Sequence, residues 1–333
     1  MYKLLGISLA LATLFALNVF ASLFMSLAWR IITPAINRWS ARTRAEILFT
    51  LRIAAPLSSL MVVGILLVPA YVSYEPPATS EVVSKKLALL AAVSMIGLAF
   101  AIWRACRSWA ATKRLKRSWL REATRIDLPL IEIPTFRFPH SFPIIAVVGT
   151  FRPRLFIADQ VLQSLSAEEL AAAIAHEGGH LAAGDNLKRA LLRVCRDLLM
   201  IVPSGRSLDH AWSESVESAA DEHAARLSSD VALNLASALV RIARMVPVGA
   251  RTELPLAAFL VGDEMRGIKA RVRRLLEIAS TKESAHVGKL RISALLPLFA
   301  VLTTIAVGAW VGGNTHLLLT VHSLVERVVS LLS

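Results

Sequence analysis

The chain has 333 residues, of which 55% are hydrophobic and only 18% are charged, and its mean hydropathy is +0.58. This composition excludes an ordinary soluble domain and predicts a membrane protein. The formal net charge is +13, but no nucleic-acid-binding motif accompanies it, so we expect no nucleic acid among the partners. Cys106 and Cys195 form no metal-binding pair by spacing and are too few for a disulfide framework.

Four apolar runs predict membrane-spanning helices, because about 20 apolar residues suffice to cross a bilayer. Three lie in an N-terminal membrane region, residues 1–103, at about 4–29, 53–72 and 87–103, and the fourth lies at 292–311. A cleaved signal peptide is the competing interpretation of the first run, because Val19-Phe20-Ala21 resembles a cleavage site. We favour a retained span, because the apolar run continues well past this point, whereas signal h-regions have about 7–15 residues.

Basic residues flank these spans asymmetrically. Arg dominates the segment between the first two spans, and Arg and Lys dominate residues 104–125, whereas the segment between the second and third spans is balanced. Since Lys and Arg favour the cytoplasmic side, we expect an external N-terminus and a cytoplasmic domain at residues 104–291. The predicted location is a bacterial-type inner membrane, which the chain crosses several times, with the lipid bilayer as a partner.

The residue pattern of the predicted cytoplasmic domain changes along the chain, from a basic helical run to short strand-like runs and then to further helical runs. Residues 104–125 are predicted to continue the third span as a basic helix, and short β-branched or aromatic runs at 131–138, 144–148 and 155–158 predict strands of a small sheet. Ser166-Ala167-Glu168-Glu169 is a capping box that predicts a helix start, and further helices are predicted at 186–201, 208–227, 231–245 and 264–278. The expected fold is an α-helical membrane protein with an α+β cytoplasmic domain, three transmembrane helices before it and one after.

The stretch His176-Glu177-Gly178-Gly179-His180 is the most informative motif of the chain. Residues four apart lie on one face of a helix, so both imidazoles can reach one metal ion. This pattern is the zinc-peptidase signature, in which the glutamate is the general base. We therefore predict one Zn²⁺ per chain, bound by His176 and His180, with Glu177 as the catalytic residue.

A catalytic zinc usually keeps three protein ligands and one open position. Glu217 and Asp221 are four residues apart, with small residues between them, so they share one face of a predicted helix that can pack closely on another. We predict that Glu217 is the third ligand and that Asp221 accepts a hydrogen bond from a ligand imidazole. The full set of candidates for the third ligand comprises Asp185, His210, Glu214, Glu217, Asp221, Glu222 and His223.

Three further residues and one strand are candidates for roles around the metal and the substrate. Asp185 either orients a ligand from the second coordination shell or caps the next helix, and the sequence leaves both open. His223 and His210 are candidates for stabilising the oxyanion. The strand at 154–158 is a candidate edge on which an extended peptide substrate pairs.

The motifs together resemble those of integral-membrane gluzincins, a group of zinc metallopeptidases. The resemblance rests on Gly149, Arg152-Pro153-Arg154, the capping box and the zinc helix. The BlaR/MecR-type antibiotic-sensor peptidases are similar in their span count, in an Asp five residues after the second His, and in a downstream Glu-x-x-x-Asp. The HtpX and CaaX-prenyl-protease branch shares the zinc helix but commonly places membrane helices before the Glu ligand. No run between His180 and Glu217 looks membrane-spanning, which favours the BlaR/MecR type.

The resemblance implies a gluzincin-like cytoplasmic metalloprotease domain and a zinc endopeptidase that acts in signal transduction. Its expected substrate is a cytoplasmic protein, such as a transcriptional repressor, or the chain itself. The BlaR/MecR sensors carry a C-terminal penicillin-binding domain, whereas we expect residues 312–333 to form only a short external or interfacial tail. The signal would then arrive through a partner protein, the short external loop at residues 73–86 or the membrane itself. The expected protein partners besides the substrate are a sensor protein or further copies of the chain in a homo-oligomer.

Two other functions stay open at this point. One is an HtpX-like protease for membrane-protein quality control. The other is a non-catalytic, zinc-stabilised signalling scaffold. Glu177 argues against the scaffold, because a structural zinc site has no use for a general base.

The predicted topology is testable with reporter fusions. A reporter fused after residue 125 should read cytoplasmic and one fused near residue 78 should read external, because Lys and Arg favour the cytoplasmic side. The opposite pattern would contradict the orientation.

Overall fold

The structure, a computed structural model, describes residues 2–36, 39–76, 83–129, 131–197, 206–246, 265–280, 310 and 314–332. Three described helical segments are long and apolar enough to cross a membrane, namely Tyr2–Pro34, Ala41–Tyr74 and Lys85–Glu122. They contain the three predicted N-terminal spans. The predicted fourth span, residues 292–311, lies outside the described residues except for Trp310.

The membrane helices are longer than the bilayer requires. Helix α1 covers Tyr2–Ile36, and the second segment consists of α2 (Ala41–Met61), a π-helical stretch (Val62–Leu67) and α3 (Val68–Tyr74). Helix α4 (Lys85–Glu122) continues without a break past the end of the third predicted span, so the basic helix predicted after residue 103 is part of it. Helix α1 packs along both α2 and α4.

A small mixed sheet follows α4. Its strands are β1 (Thr124–Ile126), β2 (Thr135–Phe138), β3 (Ile145–Val148) and β4 (Arg154–Ala158), in the order β1-β2-β4-β3. Only the β2–β4 pair is parallel. The predicted strand at 131–138 is too long at its start, since β2 begins after Pro134, which has no N–H to donate to a strand ladder. Strand β1 was missed, because its residues were assigned to the basic helix and the segment after it.

The prediction that residues 154–158 form a sheet edge is wrong. Strand β4 pairs with β2 on one side and with β3 on the other, so its backbone groups are committed within the sheet. The edge strands of this sheet are β1 and β3, and β3 is the one that pairs with β4. The sequence could not distinguish β3 from β4, because both strands are short, apolar and buried.

Seven helices complete the described structure: α5 (Asp159–Ser164), α6 (Ala167–Ala183), α7 (Asp185–Asp197), α8 (Arg206–Ala225), α9 (Ser229–Met245), α10 (Met265–Ser280) and α11 (Thr315–Leu332). The predicted capping box starts α6, since Ser166 Oγ accepts from Glu169 N–H at 3.2 Å and Glu169 Oε2 accepts from Ser166 N–H at 2.9 Å. Gly184 ends α6 with φ of 68°, a left-handed conformation that glycine adopts without a steric penalty.

Two apolar clusters hold the helices that follow the sheet. The larger one joins the sheet to α6, α9 and α10 through side chains such as Phe156, Ile174, Leu239 and Leu275. The second includes Leu48 of α2, Leu192 of α7 and Trp212 and Val216 of α8. The second apolar helical segment therefore packs directly on α7 and α8.

Polar contacts reinforce this packing of α2 against α7 and α8. Arg52 Nε lies 3.0 Å from Asp209 Oδ1, and the Arg52 side chain is only 4% exposed. Glu46 pairs with Lys188 of α7. The backbone N–H of Ala41, at the start of α2, donates to the carboxylate of Glu222. Helix α2 is thus fastened to α8 near both ends of α8.

Removing Arg52 should weaken the attachment of α2 to α8. In Arg52→Met, Asp209 loses a charged partner in a largely buried setting, and we expect the free energy of unfolding to fall by about 2–3 kcal/mol. Thermal unfolding in detergent measures the change, with the exposed Arg30→Met as the matched control. The double variant Arg52→Met/Asp209→Asn should recover part of the loss, and strictly additive losses would contradict the pairing.

Candidate metal centre

The two histidines of the motif converge on one point. Both lie on α6 and are almost fully buried, and their Nε2 atoms are 3.2 Å apart. The capping box and Gly184 fix the two ends of α6, so the four-residue spacing places the imidazoles on the same helical face as predicted.

Glu217 reaches the same point from α8. Its Oε2 lies 3.7 Å from His176 Nε2, and its Oε1 lies 3.7 Å from His180 Nε2. The three side chains offer one ligand atom each, all within 4.8 Å of one another. Two imidazoles and one carboxylate are the donor set of a catalytic zinc site, so these residues fit the predicted ion.

Two carboxylates orient the histidines from behind. His176 Nδ1 lies 2.9 Å from Asp221 Oδ1, and His180 Nδ1 lies 2.8 Å from Asp185 Oδ2. Such partners keep the proton on Nδ1 and turn the Nε2 lone pair towards the metal position. For Asp185, the geometry favours the orienting role over a purely capping one, although the residue also begins α7.

Glu177 is buried beside the histidines, and its carboxylate is held by strand β3. Its Oε2 accepts from Val147 N–H at 3.1 Å, whereas Oε1 is buried without a hydrogen-bond partner in the described part of the chain. Burial raises the pKa of Glu177 to about 7. A carboxyl group with a near-neutral pKa is suited to taking and returning a proton, and its unpaired oxygen is suited to holding a metal-bound water.

The edge of strand β3 that does not pair with β4 faces this carboxyl group. Ile144 C=O accepts from Ala158 N–H at 2.8 Å, so the hydrogen-bonded pairs of the β3–β4 ladder fall on even-numbered β3 residues. The backbone groups of Val147 therefore point away from β4. They contact Glu177 through N–H and Asn186 through C=O, the latter at 2.9 Å.

Two arginines near Glu217 were not predicted. Arg271 of α10 donates to both oxygens of Asp221, at 2.8 and 2.7 Å, and its Nη1 lies 3.2 Å from Glu217 Oε2. Arg189 of α7 places Nη2 at 3.7 Å from Glu217 Oε1. No spacing rule links these residues to the motif, since they reach the site only through packing of α7 and α10.

Arg271 changes the electrostatics of the carboxylates. Burial alone would raise the pKa of Asp221, but the Arg271 guanidinium and His176 hold that pKa well below its usual value. The pKa of Glu217 is also lowered against the effect of burial, by His180 and Arg271. Both carboxylates are therefore ionised at neutral pH, as a metal ligand and a hydrogen-bond acceptor must be.

Close approach of α6 and α8 makes this geometry possible. A Cβ atom on Gly179 would lie 3.1 Å from both Ala220 Cα and His223 Cβ, so a larger residue would push the helices apart. Glycine between the two histidines and alanine beside Asp221 thus set the distance between the ligands.

The structure does not bring the two candidate oxyanion residues to the cluster. His210 is exposed, with Nδ1 at 3.5 Å from Glu214. His223 lines a cavity among α2, α6, α7 and α8 together with Arg42 and Arg226, and burial and these two arginines lower its pKa. Their assignment as oxyanion stabilisers stays a prediction without geometric support in the described residues.

Comparison with known proteins agrees with the geometry. The model of Peptidase family M48 matches residues 111–296, more than half of the 333-residue chain, and this range contains every residue of the cluster. A search of curated proteins found no match. The chain therefore belongs to Peptidase family M48, a family of metallopeptidases.

Proposed function

We propose that this protein is a membrane-bound zinc endopeptidase that cleaves a protein substrate on the cytoplasmic side of the membrane. The observation that carries the proposal is the convergence of His176, His180 and Glu217 beside a buried Glu177. The family match and the three apolar helices support a membrane-associated metalloprotease.

Each residue of the cluster has a role in this reaction. His176, His180 and Glu217 would hold the zinc, which supplies Lewis-acid polarisation of the scissile carbonyl and lowers the pKa of a bound water. Glu177 takes the proton from the attacking water and delivers it to the leaving amine. Asp221 and Asp185 keep the imidazoles in the required tautomer.

Strand β3 is the proposed platform for the substrate backbone. Its outward backbone groups lie next to Glu177, whereas those of β4 are paired on both sides. An extended peptide that adds to this edge would replace the contacts of Val147 with Glu177 and Asn186 and would lie beside the metal position. This assignment replaces the one made from the sequence for residues 154–158.

For the biological role, we propose signal-dependent cleavage of a cytoplasmic protein, such as a transcriptional repressor, or of the chain itself. The support is the BlaR/MecR-like order of spans and motifs, together with the packing of α2 along α8, the helix that carries Glu217. Comparing the proteins that accumulate in cells expressing wild type and Glu177→Ala tests this role. Accumulation of one cytoplasmic protein supports it, whereas accumulation of many misfolded membrane proteins favours quality control.

Substitutions in the cluster should separate metal binding from catalysis. In Glu177→Ala we expect zinc to stay bound and the cleavage rate to fall by at least about 10²–10⁴-fold, because only the general base is lost. In Glu217→Ala and His176→Ala we expect zinc itself to be lost, because a ligand is removed. Zinc content and cleavage of a protein substrate by the purified, detergent-solubilised chain are the two measurements.

Glu214→Ala is the matched control for Glu217→Ala. Glu214 lies on the same helix and is exposed, so the variant should keep both zinc and activity. A Glu217→Ala protein with a full complement of zinc would overturn the assignment of the third ligand. Equal cleavage by wild type and Glu177→Ala would overturn the proposed reaction.

A further inference from the structure

Arg271 occupies a place that none of the sequence motifs anticipates. It projects from α10 into the interface with α8, where its side chain is only 11% exposed. Its Nε and Nη2 atoms donate to the two oxygens of Asp221, and Nη1 lies 3.2 Å from Glu217 Oε2. One planar guanidinium thus contacts both acidic residues that α8 contributes to the site, a task that suits its fixed fork of N–H donors.

The two carboxylates need such a partner. Glu217 and Asp221 are four residues apart on α8, and like charges at this spacing repel each other. Both are at least largely buried, with side-chain exposures of 16% and 1%. Without a shared cation, the repulsion would favour side-chain conformations that separate the carboxylates.

The contacts of Arg271 also fix the direction of one histidine. Asp221 Oδ1 accepts from Arg271 Nη2 at 2.7 Å and lies 2.9 Å from His176 Nδ1. The guanidinium therefore sets the position of the oxygen that orients the His176 ring. Glu217 is held directly, through Oε2.

We propose that Arg271 is a positioning residue that preorganises the metal centre, orienting His176 through Asp221 and holding Glu217 against the ligand position. The inference rests on the proposed zinc site and adds a role for α10, a helix that carries no metal ligand. It makes zinc affinity depend on a residue that does not touch the metal.

Arg274 provides an internal comparison on the same helix. One turn beyond Arg271, it pairs with Glu222, the neighbour of Asp221 in sequence. Glu222 contacts the backbone N–H of Ala41 and lies outside the metal cluster. Arg271 and Arg274 thus both fasten α10 to α8, but only Arg271 faces the metal site, so a purely structural role would affect the two variants alike.

The test is the zinc affinity of the full-length, purified protein, measured by competition with a chelator. In Arg271→Met we expect zinc to bind about 10–100-fold more weakly than in wild type, the usual loss for partners of metal ligands. Arg271→Lys should fall between the two, because an ammonium group keeps the charge but not the two-point contact. Arg274→Met should keep the wild-type affinity. The absorption spectrum of the Co²⁺-substituted protein should change in Arg271→Met and not in Arg274→Met.

A second variant guards against loss of folding. Arg271→Met leaves Asp221 buried without its guanidinium, so Arg271→Met/Asp221→Asn, which removes both charges, is measured beside it. The double variant should also bind zinc more weakly than wild type. Wild-type zinc affinity in either variant would overturn the role of Arg271 alone, whereas failure of wild type itself to bind zinc would overturn the proposed metal centre and this role with it.

Discussion

The close contact between α6 and α8 is the constraint on which the site depends. The two histidines on α6 supply two of the three candidate metal ligands, and Glu217 of α8 supplies the third. Glu217 reaches them because Gly179 has no side chain, so the backbone of α8 can approach α6 to van der Waals distance. The same contact brings Asp221 behind His176. Helix α8 is held in this position from two other sides, by α2 of the second apolar segment and by α10.

The buried carboxyl groups of the metal centre need positively charged or hydrogen-bonding partners, and these partners come from several helices and from strand β3. Glu177, Asp185, Glu217 and Asp221 place four carboxyl groups around two histidines. Burying ionised groups is costly unless each is paired and hydrogen-bonded. Arg271, Arg189, the two imidazoles and the Val147 N–H supply the partners. The metal ion would supply the remaining positive charge, so the site is a charged centre that packing alone could not assemble.

The sequence predicted those parts of the site that follow from local periodicity. The four-residue spacings placed His176 with His180 and Glu217 with Asp221, and the capping box fixed the start of α6. What it missed depends on contacts between distant segments. Arg271 reaches the site only through the packing of α10, and the exchange of β3 for β4 as the edge strand depends on the order of strands in the sheet. Residues such as His223 share the right helix but face a different neighbour.

The proposed metal centre holds one zinc ion between two imidazoles and a carboxylate. X-ray absorption spectroscopy at the zinc edge of the purified full-length protein tests it most directly. We expect nitrogen and oxygen neighbours of the zinc at about 2.0–2.2 Å, with the longer-range scattering of two imidazoles and no sulfur. A shell that contains sulfur from Cys106 or Cys195, or protein that retains no zinc, would contradict it.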